Sequence, residues 1–293
     1  MVDASQGVPF WTNHLQEGKR YIKKGQTLFP CPSSVKISNI INLPPDEEVV
    51  TVLAKPMARL VLEYDFSIVT KSGFGVQPAE AEAMRLVSQY TSVPVPKVYH
   101  TNFETKDNGL IEMSLIQGSP LERTWDTMDE KTKESVCCQT WGFISEIQSV
   151  PAQHNGLFQC AADGSPSQDP LLEDLQSPPQ PLTSDSDLRA RIYERYLHCG
   201  GSRYKHELPN MLLKSDRAVF THGDIAPRNI VVDENGNITG IIDWEWAGWY
   251  PDYWEYAQIM RPAFWGDWSI WMEKTAPKKW DLAGINAARK VLF

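Results

Sequence analysis

A β-hairpin is written into the stretch from Ala218 to Gly248, and it constrains the chain more than any other feature. Ile230-Val231-Val232 and Ile238 to Ile242 are β-branched runs, and Asp233-Glu234-Asn235-Gly236-Asn237 between them is rich in turn formers. Upstream lies a polar loop, His222-Gly223-Asp224-Ile225-Ala226-Pro227-Arg228-Asn229, in which Asp224 and Asn229 are five residues apart. Asp243 follows Asp224 by nineteen residues and closes the second strand. A hairpin returns the chain to its starting edge. Asp224, Asn229 and Asp243 are therefore expected at one rim.

The rest of the chain reads in two parts. Val49–Ala54, Ala58–Tyr64 and Ser67–Lys71 are short β-branched runs separated by breakers. Ala79 to Tyr90 carries apolar residues at helical spacing, and Val93-Pro94-Val95-Pro96 ends it. Two further strands, Lys97–Phe103 and Leu110–Ile116, flank a turn at Lys106-Asp107-Asn108-Gly109. Beyond Gly118 the pattern turns helical from Leu121 to Val150, with Asp129-Glu130 near a helix start, and again from Ser186 to Cys199. Residues 161–187, rich in Pro, Ser, Asp and Gln, read as a loop or mobile insertion. These readings divide the chain into an N-terminal extension (1–48, helical or irregular), a first lobe (49–117) and a second lobe (118–293).

Charge excludes some classes. With 28 Lys and Arg against 37 Asp and Glu the net charge is −9, which argues against a protein that grips nucleic acid by its phosphates. No apolar run approaches the ~18 residues of a membrane helix. The first fifteen residues lack the basic start and apolar stretch of a signal peptide, so a cytoplasmic protein with reduced cysteines is expected. Eight of the eleven tryptophans fall between Trp244 and Trp280, as a packed wall or a pocket lining. Asp252, Glu255, Asp267 and Glu273 lie among them. A pocket built from these would suit an amine or quaternary ammonium; a solvated acidic face over a tryptophan-rich core is the alternative.

The D-x-x-x-x-N loop and the returning aspartate match the needs of phosphoryl transfer. One carboxylate must orient and accept the proton of an attacking hydroxyl, while an amide oxygen and a second carboxylate hold Mg²⁺ against phosphates. THGDIAPRNIVVD, GIIDWEWAGWYPDYWEY, SVPVPKVY and EMSLIQGSPLERTW together resemble the aminoglycoside phosphotransferase/choline kinase-like family, in its fungal-type branch. The resemblance implies an α+β, bilobal, protein-kinase-like fold with a small β-rich N-lobe carrying one main helix and a larger, mainly helical C-lobe. It implies ATP and Mg²⁺ as cofactors and a small molecule with a hydroxyl group as acceptor. Residue by residue, Asp224 resembles the catalytic base, His222 the histidine that braces the loop, and Asn229 and Asp243 the Mg²⁺ ligands. Lys71 resembles the lysine that holds the α/β-phosphates. Glu80 resembles its ion-pair partner; Glu82 points about 200° away round the helix. Met113, Ser114, Leu115 and Ile116 resemble the hinge whose backbone meets the nucleotide base.

Two residues stay open between roles. Arg228 is either a phosphate contact or an interlobe or surface arginine, and Glu245 is either a metal or substrate contact or half of an ion pair. One departure counts against the resemblance. The turn Ala54-Lys55-Pro56-Met57 has no glycine, where a Gly-rich loop would let backbone N–H groups approach phosphate. That turn favours the competing readings, a kinase-like fold that has lost phosphoryl transfer and binds or scaffolds, or one recruited to another reaction of secondary metabolism. A protein kinase is disfavoured because no DFG…APE segment follows Asp243.

Overall fold

The computed structural model describes residues 8–9, 15–25, 27–31, 44, 46–56, 58–64, 67–104, 108–261 and 266–292. Outside them lie most of the first fifteen residues, Met57 of the glycine-free turn, and Lys106-Asp107 of the hairpin turn. The chain divides into two compact units, one from residues up to Pro78 with Pro96–Leu115, the other from Ala79–Val95 with Ile116–Phe293.

The first unit is an antiparallel sheet. Its strands are β1 (Val8–Pro9), β2 (Arg20–Lys24), β3 (Thr27–Pro30), β4 (Glu47–Ala54), β5 (Arg59–Tyr64), β6 (Ile68–Gly73), β7 (Val98–Asn102) and β8 (Gly109–Ser114), in the order β1-β3-β2-β4-β5-β6-β8-β7. Tyr21, Leu28, Val50, Val52, Leu60 and Leu62 alternate inward and form its core. The expectation of a helical or irregular segment before Val49 fails at β2 and β3. There Tyr21 and Leu28 are buried, Gly25 turns the chain at φ +56°, and Lys23 and Lys24 reach Glu48 and Glu47 on β4. The lysine-rich face masked a hairpin.

In the second unit α1 (Pro78–Tyr90) comes first, followed by β9 (Ser119–Pro120), α2 (Glu130–Ile147), β10 (Cys160–Ala161) and α3 (Asp185–His198). α4 (Leu208–Met211), β11 (Ala218–Thr221), β12 (Ile230–Val232), β13 (Ile238–Ile241) and β14 (Gly248–Pro251) continue the chain, and α5 (Trp254–Ile259), α6 (Trp268–Thr275) and α7 (Ala283–Arg289) close it. Two small sheets, β13-β12-β9 and β10-β14-β11, lie among the helices. Asp129 caps α2 by accepting from the Thr132 N–H at 2.8 Å, as the Asp-Glu start signal predicts. Leu188, Ile192 and Tyr196, each four residues apart on α3, are buried against Tyr253 and Trp254 of the same core.

Between β10 and α3, residues 162–184 are largely irregular but firmly anchored. Leu171, Leu172 and Leu182 enter the core, and Arg191 of α3 donates to the carbonyls of Leu172 and Gln180 and pairs with Asp174 at 2.7 Å. The buried Asp169 accepts from the Gln258 amide, which in turn accepts from Arg289 at 2.9 Å. Most of the described tryptophans are core residues: Trp244, Trp254 and Trp268 are fully buried. Among the described residues no helix is long and apolar enough to cross a membrane.

Gly284 shows how tightly α7 is packed. A Cβ there would lie 2.3 Å from the Met211 carbonyl oxygen, a backbone atom that cannot step aside. Helix propensity alone predicts that Gly284→Ala gains ~0.5–1 kcal/mol. The packing reverses the sign. Urea unfolding of Gly284→Ala should show a lower midpoint than the parent; a higher one would refute this close approach.

Candidate active site

β11 delivers the loop that begins at His222, and the β12–β13 hairpin brings the chain back to it. The Ile242 N–H donates to the Asn229 carbonyl at 2.9 Å, so the residue before Asp243 is tied to the loop's last polar residue. His222 makes the second tie. Its Nδ1 accepts from the Asp224 N–H at 3.1 Å, which leaves Nε2 as the protonated nitrogen donating to the Ile242 carbonyl at 3.1 Å. Both ring nitrogens are spent on backbone, so the imidazole positions the loop. Burial holds it below the usual imidazole range, against the raising effect of Asp224 and the Ile242 carbonyl. Trp244 packs edge-on against the ring at 4.5 Å.

Beneath the loop lies Glu255 of α5, 1% exposed. The His222 N–H donates to Glu255 Oε2 at 2.7 Å and the Gly223 N–H to Oε1 at 3.2 Å. Burial pushes this carboxyl up to about 7, while the N–H groups of His222 and Gly223 pull it down and Asp224 adds to the rise. Gly223 sits at φ +84°, and a Cβ there would be 2.8 Å from the Trp246 carbonyl oxygen, so glycine is required on both counts.

Asp224 is held from four sides. The Asn229 amide donates to its carbonyl and to Oδ2, each at 2.9 Å. Arg228 donates to Oδ2, and Arg261 to Oδ1 at 3.3 Å. Because both Asn229 contacts come from its amide nitrogen, its carbonyl oxygen is the atom left to meet a cation. Asp243 has φ +66°, a left-handed conformation that aspartate tolerates and most residues do not. Such backbone needs support, which here comes from the Ile242–Asn229 bond, the Trp244 indole on the Ile241 carbonyl at 2.9 Å and the Ala247 N–H on the Trp244 carbonyl at 3.1 Å. Among the described residues no three His, Cys, Asp or Glu side chains are grouped to hold a metal. An amide oxygen and one carboxylate suit Mg²⁺, which takes few protein ligands and completes its shell with phosphates and water.

The other predicted residues fall in both units. Lys71 is buried in β6, opposite Val61 of β5 and Ile111 of β8. Met113 and Ser114 end β8 opposite Val69 and Ile68, and the Leu115 N–H donates to the Ser67 carbonyl at 2.8 Å. Ile116 belongs to the second unit, where it packs on Gly240. Glu80 is buried on α1, whereas Glu82 is half-exposed and pairs with Arg85 at 3.8 Å, in keeping with the 200° between them. At the glycine-free turn, Ala58 adopts φ +57° and the Arg59 N–H donates to the Pro56 carbonyl at 2.8 Å.

Three of the four acidic residues among the tryptophans are engaged by donors of the protein itself. Glu255 holds the loop backbone, Asp267 accepts from Lys133 and from the indoles of Trp125 and Trp271, and Asp252 accepts from the Ser215 hydroxyl. Sequence reasoning missed Glu255 and Arg261 as partners of the loop. Each lies over thirty residues downstream, and no local pattern marks it.

A model of the phosphotransferase enzyme family matches residues 75–276, more than half of the chain. The chain belongs to that family. This places it among the phosphotransferases that act on hydroxyl groups of small molecules. Solved aminoglycoside phosphotransferases share its protein-kinase-like fold. A thermostable mutant of APH(4)-Ia is 17% identical with a TM-score of 0.57, covering 83% of each chain. ADP-bound APH(2'')-Ib is 17% identical at 0.56, over 83% of this chain and 80% of its own. The GDP and kanamycin complex of APH(2")-IIIa is 14% identical at 0.54, over 86% and 84%. No curated protein matches the chain.

Glu255 gives the site a pH signature. Its carboxyl titrates near 7 when folded and near 4.5 when not, so the folded state binds the extra proton between these values. Stability from this group is fully present below pH 4.5 and is lost as pH rises towards 7. Across that window the unfolding free energy of the parent should fall by ~3 kcal/mol relative to Glu255→Gln, which cannot titrate. Parallel urea curves would measure it, and a pH-independent difference would refute it.

Proposed function

We propose that the protein is a small-molecule kinase that transfers the γ-phosphoryl group of ATP to a hydroxyl of its acceptor. The observation that carries this reading is the Asp224–Asn229 pair: a carboxylate fixed by an amide whose oxygen remains for a cation, tied by backbone to the left-handed Asp243. All three lie within the span that matches the family.

Asp224 orients the acceptor hydroxyl and takes its proton as the new oxygen–phosphorus bond forms and the bond from phosphorus to the ADP oxygen breaks. Asn229 and Asp243 would hold Mg²⁺, which supplies charge neutralisation on the phosphates. His222 and Glu255 keep the loop in register by their backbone hydrogen bonds, and neither moves a proton in the transfer. Lys71 and Glu80 keep the phosphate-holding and partner roles that the motif resemblance gives them, and the backbone of Met113–Ile116 keeps that of meeting the base. The reading of a kinase-like binding protein rested on the glycine-free turn, and the intact Asp224, Asn229 and Asp243 weigh against it.

Calorimetric titration with Mg·ATP should show binding by the parent and a loss of at least tenfold in affinity for Asp243→Ala. Asp224→Ala should bind Mg·ATP within about twofold of the parent while turnover falls roughly 10²–10⁴-fold, the usual contribution of a positioned base. Absence of Mg·ATP binding by the parent would overturn the kinase reading.

A further inference from the structure

A charged pocket lies at the far end of the strand pair that delivers the catalytic loop. β11 and β14 pair from Ala218 opposite Pro251 to Thr221 opposite Gly248, and the loop leaves at the Thr221 end. At the other end, ~10 Å away along the strand, Ser215 and Asp216 lead into β11 and Asp252 follows β14. The Asp252 N–H donates to the Arg217 carbonyl at 3.3 Å and extends the pairing by one step. A pocket of about 420 Å³ opens there, lined by Lys214, Ser215, Asp216, Asp252, Lys278 and Trp280. Small-molecule sites span ~300–1,000 Å³, so this one has room for a metabolite.

Part of the lining is held in place. The Ser215 N–H donates to Asp185 Oδ1 at 3.2 Å, and its hydroxyl donates to Asp252 Oδ1 at 2.8 Å. Trp280 packs edge-on against the buried Tyr253, with ring centroids 6.0 Å apart. Around these stand groups of both signs that do not cancel. Among the described residues Lys214, Asp216, Asp252 and Lys278 form no ion pair, although all four line the same pocket. The Lys278 ammonium lies instead 3.4 Å from the centroid of the Trp280 ring. A ligand of one sign would be attracted by two of these groups and repelled by the other two. A ligand that carries both signs meets all four favourably.

We propose that this pocket binds a small zwitterion, a free α-amino acid, with its carboxylate on Lys214 and Lys278, its ammonium on Asp216 and Asp252 and its side chain against Trp280. The proposal goes beyond the kinase reading and does not rest on it, because no residue of the catalytic loop or of the metal pair lines the pocket.

The test is a calorimetric titration of the full chain with L-phenylalanine, L-leucine and L-glutamine. At least one should bind. Its N-acetyl derivative, which lacks the ammonium, and its methyl ester, which lacks the carboxylate, should each bind at least tenfold more weakly. Lys214 and Asp216 are exposed, so reversing their charge spares the core. Lys214→Glu and Asp216→Lys should each weaken binding tenfold or more while the melting curve stays that of the parent. Lys131→Glu, an equal change of charge on exposed α2, should leave binding within twofold. Absence of binding by all three amino acids, equal binding of either derivative, or binding undiminished in Lys214→Glu would each overturn the proposal. A loss in Lys131→Glu as large as in Lys214→Glu would assign the effect to net charge and overturn it too.

Discussion

A buried carboxylate holding the backbone of a loop is the interaction on which the rest of the site depends. Glu255 receives the N–H groups of His222 and Gly223, and without an acceptor there these donors would be stranded in the core. Once they are satisfied, the start of the loop is fixed to α5. His222 then reaches the Ile242 carbonyl, Asn229 reaches Asp224, and the hairpin presents Asp243 in its left-handed form. The opposing effects on Glu255 are what such a device entails. Burial favours the neutral acid, the backbone donors favour the anion, and the outcome lies near neutrality.

The aromatic segment serves that same end. Trp244 flanks His222, Trp246 touches Gly223 and carries Arg261, and Trp254 stacks on Tyr250 in the core beside Glu255 on α5. Large rigid rings close to the loop limit water and restrict movement of the polar groups. The tryptophan-rich segment is thus chiefly a frame for the loop.

Some of this was legible in the sequence and some was not. Asp224, Asn229 and Asp243 stand at short, fixed separations in a loop and hairpin, so local chain geometry places them together. The helical pattern read from Ser186 to Cys199 falls on α3, whose Leu188, Ile192 and Tyr196 are buried. Glu255 and Arg261 were misread or missed because their partners are set by how α5 packs, which no periodicity reports. The hairpin of β2 and β3 was hidden by lysines, although Gly25 between two alternating runs was a turn signal. In residues 161–187 the turn-forming composition concealed the buried pair Leu171 and Leu172, which anchor an irregular segment as firmly as a helix would.

The central claim is that Asn229 and Asp243 form a metal site that the nucleotide completes. Electron paramagnetic resonance of Mn²⁺ used in place of Mg²⁺ tests it most directly. The account predicts Mn²⁺ binding that appears only with AMP-PNP, is lost in both Asn229→Ala and Asp243→Ala, and persists in Asp224→Ala. Nucleotide-dependent Mn²⁺ binding that survives both substitutions would contradict it.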